Sequence, residues 1–251
     1  MRALITGASS GIGKDIAKIL SQKGYELILV ARDEEKLENT KQELGGKNNI
    51  ELITMDLSKE KNCKTLADNV KDIDLLVNNA GFGDCGSFEK TDLDKDIKMI
   101  ETNVIAYHIL TKLYLKEMIE KNSGKILNVA SIAGFMPGPL MATYYATKNY
   151  IVKLSESIRE ELKKSNSKVQ ISILCPGPVN TNFNKVANVK FKLREANSMQ
   201  VAKYAVKKLE AGKFYIVPGI DIKLARFAAK IIPSNIVAKV TYKVQKRKLS
   251  K

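Results

Sequence analysis

The stretch Ala3-Leu4-Ile5-Thr6-Gly7-Ala8-Ser9-Ser10-Gly11-Ile12-Gly13 decides how this chain is read. Residues 3–6 form an apolar run of strand type, and an amphipathic helical pattern follows over 13–23. Between them the glycines fall in G-x-x-x-G-x-G spacing. Glycine lets the main chain turn sharply and come close to a pyrophosphate, while the free N–H groups and positive dipole of a helix start attract an anion. Gly7, Ser9, Ser10, Gly11, Ile12 and Gly13 are therefore candidate nucleotide contacts. A strand-to-helix turn of purely structural use would carry the same glycines.

Outward from this stretch, short β-branched or leucine-rich runs recur at 26–31, 50–55, 75–78, 125–129, 169–174 and 214–217. Helical patterns separate them at 34–44, 62–70, 93–120, 144–164 and 199–210. Alternation of this kind predicts a Rossmann-type α/β fold, a doubly wound parallel sheet of about seven strands with helices on both faces. A chain of 251 residues, 44% hydrophobic, can bury the core of one such domain. We expect residues 1–220 to form a dinucleotide-binding catalytic domain and 221–251 a basic amphipathic extension. Residues 182–197 lack periodicity and read as a loop over the site.

Composition excludes several classes. Cys63, Cys85 and Cys175 are too few and too irregularly spaced for a disulfide framework or a zinc site, and with His108 as the single histidine no metal is expected. The three thiols read as buried and incidental. No apolar run approaches the roughly 20 residues that span a bilayer, and no leader is apparent, so a soluble, cytoplasmic protein is expected. The net charge of +15 is concentrated late: residues 221–251 hold nine Lys or Arg against one acid, which gives +8.

Two further places carry chemistry. The second strand ends Val30-Ala31-Arg32-Asp33. An acid at such a position would bind the ribose hydroxyl of NAD, and a basic residue suits the 2′-phosphate of NADP. Arg32 favours NADP(H), with Asp33 beside it leaving room for NAD(H). Later, Tyr144-Tyr145-Ala146-Thr147-Lys148 opens a helix with Tyr144 and Lys148 on one face. A phenol titrates near 10, and an ammonium about 4 Å away would favour phenolate by roughly 1–4 kcal/mol. Tyr145, three residues from Lys148, competes for the same part.

With those residues in place, the chain resembles the short-chain dehydrogenase/reductase family over roughly residues 2–217. Thr6-Gly7 through Gly13 looks like its cofactor loop, Asn78-Asn79-Ala80-Gly81 like its motif after the fourth strand, and Tyr144-x-x-x-Lys148 like its active-site pair. Ser131, thirteen residues before Tyr144, matches the family serine, and that spacing selects Tyr144 over Tyr145. Asn103 matches the asparagine that holds a water in the proton relay. Asp56-Leu57 resembles the adenine-contacting pair, although Asp56 could equally cap the next helix. Asn79, Ala80 and Gly81 would border the cofactor, and Pro176, Gly177, Val179 and Thr181 would fix the nicotinamide carboxamide. The resemblance implies NADPH-dependent hydride transfer to or from a carbonyl or secondary alcohol of a small or apolar, acyl-like substrate. Tyr144 would move the hydroxyl proton, Ser131 would hydrogen-bond the substrate oxygen, and Lys148 would hold the ribose and lower the Tyr144 pKa. It also implies a homodimer or homotetramer.

The extension shows Leu224, Phe227, Ala228 and Ile231 at helical spacing, with Lys223, Arg226 and Lys230 on the other side. After Pro233, Ser234 reads as the N-cap of a second segment carrying Ile236, Val237, Val240 and Val244. Such helices either pack on the body or a second subunit, or lie on an anionic inner membrane surface. A nucleotide-binding regulator without turnover would be expected to lack Tyr144 or Lys148. A nucleic-acid binder would need a recognition motif that is absent here, since phosphate attraction alone is nonspecific.

Overall fold

The computed structural model describes residues 1–45, 49–187 and 195–249. The chain begins β1 (Arg2–Thr6), α1 (Gly11–Gln22), β2 (Glu26–Ala31), α2 (Glu34–Glu43), β3 (Ile50–Thr54), α3 (Glu60–Asn69) and β4 (Leu75–Asn78). It continues with α4 (Leu93–Ile100), a π turn (Glu101–Ile105), α5 (Ala106–Glu120), β5 (Lys125–Val129), a 3-10 turn (Ile132–Phe135), α6 (Ala142–Lys164) and β6 (Gln170–Leu174). The remainder comprises β7 (Val179–Asn180), α7 (Phe183–Val186), β8 (Ala196–Asn197), α8 (Ser198–Glu210), β9 (Tyr215–Ile216), α9 (Ile220–Ile231) and α10 (Ser234–Leu249).

Seven strands pair in parallel in the order β3-β2-β1-β4-β5-β6-β9, the doubly wound sheet expected. Winding reverses between β1 and β4, and a crevice for a ligand opens there at the carboxyl ends of the strands. The four β1 residues Ala3, Leu4, Ile5 and Thr6 are fully buried, as a central strand covered on both faces requires. Leu4 joins the core on one face of the sheet and Ile5 the core on the other. Asn78 and Asn128, register partners on β4 and β5, extend a buried polar chain: Asn78 donates to Asn128 Oδ1 and to Thr111 Oγ1, both at 3.0 Å, and Asn128 donates to Ser155 Oγ.

The helix read over 93–120 is helical throughout, with a π turn at Glu101–Ile105 between α4 and α5. Three expectations need correction. The segment 182–197 is not wholly loop: Phe183–Val186 is helical and β8 pairs with β7, while residues 188–194 of that call lie outside the described residues. Ser234 is the first residue of α10 rather than its cap, since the amides of Ile236 and Val237 bond to Pro233 O. Finally, α9 is turned the other way round. Its Arg226 turns to the body, with the guanidinium 3.5 Å from the Tyr215 ring centre and 4.9 Å from that of Phe135, while Lys223 and Lys230 stay exposed. Its apolar stripe faces outward, and no residue of α9 is buried.

The three cysteines are buried and none is in a disulfide. Among the described residues, no helix is long and apolar enough to cross a membrane.

Candidate active site

A cleft of about 1130 Å³ runs from the β1–α1 loop to α10 along the carboxyl edge of the sheet. Its first end is built by main chain. Gly7 has φ +65, and a Cβ on it would lie 2.8 Å from Ala80 Cα, so no other residue fits without moving β4's exit. Thr6 Oγ1 accepts from the amides of Asn79 and Ala80 at 2.9 and 3.1 Å, and the Asn79 side chain donates to Thr6 O and Gly7 O at 3.0 Å each. Gly13 packs against the same side chain: a Cβ there would sit 2.5 Å from Gly7 O. Ser10, at the head of α1, makes no side-chain cap, and no acid stands in the first turn. The leading amides of α1 are thus left for an anion.

Next along the cleft, Arg32 is exposed at the end of β2. Its neighbour Asp33 is committed elsewhere, accepting from the Lys36 amide at 3.1 Å as the cap of α2 and pairing with the Lys36 ammonium. Those bonds, above all the side-chain bond from Lys36, hold the Asp33 carboxyl below its ordinary pKa. Asp56 turns its carboxylate onto the Ser58 amide at 3.1 Å and does not cap α3, whose own cap position is Lys59. Burial pushes the Asp56 pKa up, but the Ser58 bonds and Lys98, 3.8 Å away, more than offset it. Lys36 and Lys98 line the cleft beside Arg32, and the sequence reading missed both. Lys36 could have been found, one helical turn after Arg32; Lys98 arrives from α4 with no local signal.

At the far end, Ser131 follows β5, caps the 3-10 turn by accepting from the Ala133 amide at 3.2 Å, and lines the cleft with Tyr144. Tyr144 and Lys148 stand on successive turns of α6. Lys148 is buried, and its ammonium donates to Val129 O at 2.9 Å, using one of three donors. Burial pulls its pKa down to about 8. The ammonium lies 5.9 Å from the Tyr144 ring centre. Burial raises the Tyr144 pKa well above the phenol range against the lowering effect of Ser131. Tyr145 is removed from the contest. Its hydroxyl is bonded by Gln245 of α10, and burial pushes its pKa up to about 12.

All the predicted contact residues line this cleft except two. Gly13 stands behind the loop as a packing residue. Asn103 is fully buried in the π turn, accepting from the Phe82 amide at 3.1 Å and donating to Phe82 O at 2.8 Å and Thr147 Oγ1 at 3.1 Å. It clamps the chain just after Gly81, where a Cβ would meet its Oδ1 at 2.8 Å. The sequence reading also missed Thr241 and Gln245, which close the cleft from α10. A threonine and a glutamine in a lysine-rich helix give no sequence signal. His108, left without a role, bonds Tyr150 at 2.7 Å away from the cleft.

A doubly wound sheet with an uncapped helix start at its switch point, and a Ser-Tyr-Lys cluster at the other end of one cleft, defines a dinucleotide-dependent oxidoreductase. The comparisons name the family: a short chain dehydrogenase model matches residues 1–190, and the chain belongs to that family of NAD(P)-dependent oxidoreductases acting on a carbonyl or alcohol. The 3-oxoacyl-[acyl-carrier-protein] reductase FabG of Rickettsia prowazekii is 31% identical over 205 residues, 81% of this chain and 83% of that one. A short-chain dehydrogenase from Sphingobium yanoikuyae in complex with NADPH superposes with a TM-score of 0.84 at 26% identity, covering 91% of each chain. One from Burkholderia phymatum in complex with NAD gives 0.83 at 25% identity, covering 90% of this chain and 91% of that one.

Proposed function

We propose that the protein is an NADPH-dependent reductase of apolar ketones, with 3-oxoacyl thioesters as the first class to test. The observation that carries this is the convergence of Ser131, Tyr144 and Lys148 at one end of a cleft whose other end is an uncapped helix start flanked by Arg32 and Lys36. The residues fit a dinucleotide. The amides of Ser10 to Ile12 would hold its pyrophosphate, Arg32 and Lys36 its 2′-phosphate, the free donors of Lys148 its ribose, and Val179 with Thr181 its carboxamide. Bound there, it would supply the hydride. Because Asp33 is occupied as a helix cap, the acid that could serve the hydroxyl of NAD is diverted, which supports the phosphate form.

The chain's own residues handle the proton. Tyr144, held neutral by burial, would donate its proton to the oxygen that becomes the alcohol, and Ser131 would steady that oxygen by hydrogen bond. Positioning falls to Asn103, which fixes Gly81 and Phe82 beside Lys148; its side chain is fully engaged, so any relay water would bond main-chain groups of the π turn. Phe183, 5.2 Å from Tyr144 between ring centres, with Met136, Met141 and Val244, makes the substrate end apolar. The acyl assignment draws on these walls and on the reductase relative.

The test follows oxidation of NADPH and of NADH with 3-oxoacyl thioesters and simple ketones, for the wild type and Tyr144→Phe. Turnover that prefers NADPH and collapses in the variant is expected. Equal turnover by both proteins defeats the assignment of Tyr144, and preference for NADH defeats that of Arg32.

A further inference from the structure

We propose that α9 and the exposed face of α10 form a docking surface for an anionic lipid bilayer, set at the mouth of the substrate cleft. The docking goes beyond the reductase reading, and only the use given to it rests on that reading.

The observation is the inversion of α9. Ile220, Leu224, Phe227 and Ile231 follow one another at i, i+4, i+7 and i+11, a single stripe along the helix. They are 76%, 64%, 64% and 66% exposed. A helix that only needed a place on the body would bury that stripe and show its lysines to water. This one turns Arg226 onto Tyr215 and Phe135, brings Lys230 within 6.0 Å of the Tyr215 ring centre, and leaves its apolar side to the solvent. On α10, which follows two residues after α9, Ile236 and Val240 are also exposed, at 47% and 56%. An exposed apolar stripe along a whole helix marks an interaction site in a folded protein.

Charge selects the occupant. Lys223 flanks the stripe on α9, and Lys239, Lys243 and Lys246 are exposed on α10. Asp221 is the only acid from residue 221 onward, so the segment 221–251 carries a net +8. A second copy of this chain meeting the surface face to face would set that charge against itself, and like charges across an interface are strongly disfavoured. A leaflet rich in acidic headgroups supplies both requirements at once: hydrocarbon for the stripe and counter-charge for the flanking lysines. Position gives the surface a use. Ala225 and Val240 are exposed on this surface and also line the cleft, so the cleft opens where the bilayer would lie. An apolar substrate could then pass from lipid to Tyr144 without crossing water.

The experiment is flotation of the full chain with vesicles of phosphatidylglycerol mixed with phosphatidylcholine, and of phosphatidylcholine alone. The triple variant Leu224→Gln, Phe227→Gln, Ile231→Gln and the charge variant Lys223→Glu, Lys239→Glu, Lys243→Glu run in parallel. None of these six residues lines the cleft. The wild type should partition onto the phosphatidylglycerol vesicles and release as salt is raised. Both variants should lose at least tenfold in partition while keeping the wild-type far-ultraviolet circular dichroism and turnover of a short water-soluble ketone. Absence of wild-type binding to phosphatidylglycerol, or binding unchanged in the folded variants, overturns the proposal. So does a wild-type dimer in sedimentation that the glutamine variant dissolves without any vesicle binding, since the occupant is then a second copy. If the glutamine variant does not fold, the charge variant alone carries the decision.

Discussion

At the glycine-loop end of the cleft, the Thr6 hydroxyl and the Asn79 side chain each bond twice to main chain, locking the ends of two central strands together. At the α10 end, the wall hangs on side chains: Thr241 Oγ1 donates to Pro137 O at 2.9 Å, and Gln245 bonds Tyr145. The first end is set by where two central strands stop, and side-chain variation elsewhere leaves it intact. The second can be rebuilt by changing a few residues on one late helix. Chemistry shared by a family belongs on the rigid end and its boundary, and selectivity belongs on the adjustable one.

Tyr144→Phe tests this division most severely. Loss of a positioned general acid should lower kcat/KM by about 10²–10⁴. NADPH affinity, measured by fluorescence titration, should stay within about twofold, and a parallel loss would mean the two ends are not separable. Arg32→Ala should act from the opposite side. Removing a charge-assisted bond to phosphate, worth roughly 1.5–3 kcal/mol, should cut the NADPH-over-NADH preference by about 10–100-fold, nearer the lower figure because Arg32 is exposed. The KM for ketone should not move.

Lys148 sits where the two ends meet and gives a pH test. Its folded pKa of about 8 lies below the ordinary lysine value near 10.4, so between those values the unfolded chain holds more protons than the folded one. Stability of the cofactor-free protein should therefore rise with pH across that window. In urea titrations the wild type should gain about 1–3 kcal/mol between pH 8 and 10 relative to Lys148→Met. Equal slopes would place the ammonium in contact with water. The smallest effect is expected for Gln245→Leu, which strands the Tyr145 hydroxyl in a buried setting and should cost about 1 kcal/mol of stability. Substrate KM should change and NADPH affinity should not, which makes it the mirror image of Arg32→Ala.

What could be read in the sequence follows the same division. The seven strands and the contacts around Gly7, Arg32 and Asn79 were legible because period, glycine spacing and strand ends are local properties of the chain. Tyr144 was separated from Tyr145 by the resemblance, through the position of Ser131, and the Tyr145 hydroxyl is bonded by Gln245. The orientation of α9 was not legible. An amphipathic pattern fixes that two faces differ but not which one meets the body, and Tyr215 with Phe135 reversed the usual choice by offering rings to a guanidinium. Nor could the Tyr144 pKa be read from a four-residue spacing. Proximity to Lys148 was correct, but burial dominates, and helical spacing carries no information about burial.

Because α10 comes after every strand of the sheet, order of synthesis matters to the cleft. A nascent chain emerges amino end first, so the β1 to β6 core can assemble, and the nucleotide cradle with it, while Thr241 and Gln245 are still to be made. The protein would then be competent to hold a dinucleotide before it has a finished pocket for anything to reduce.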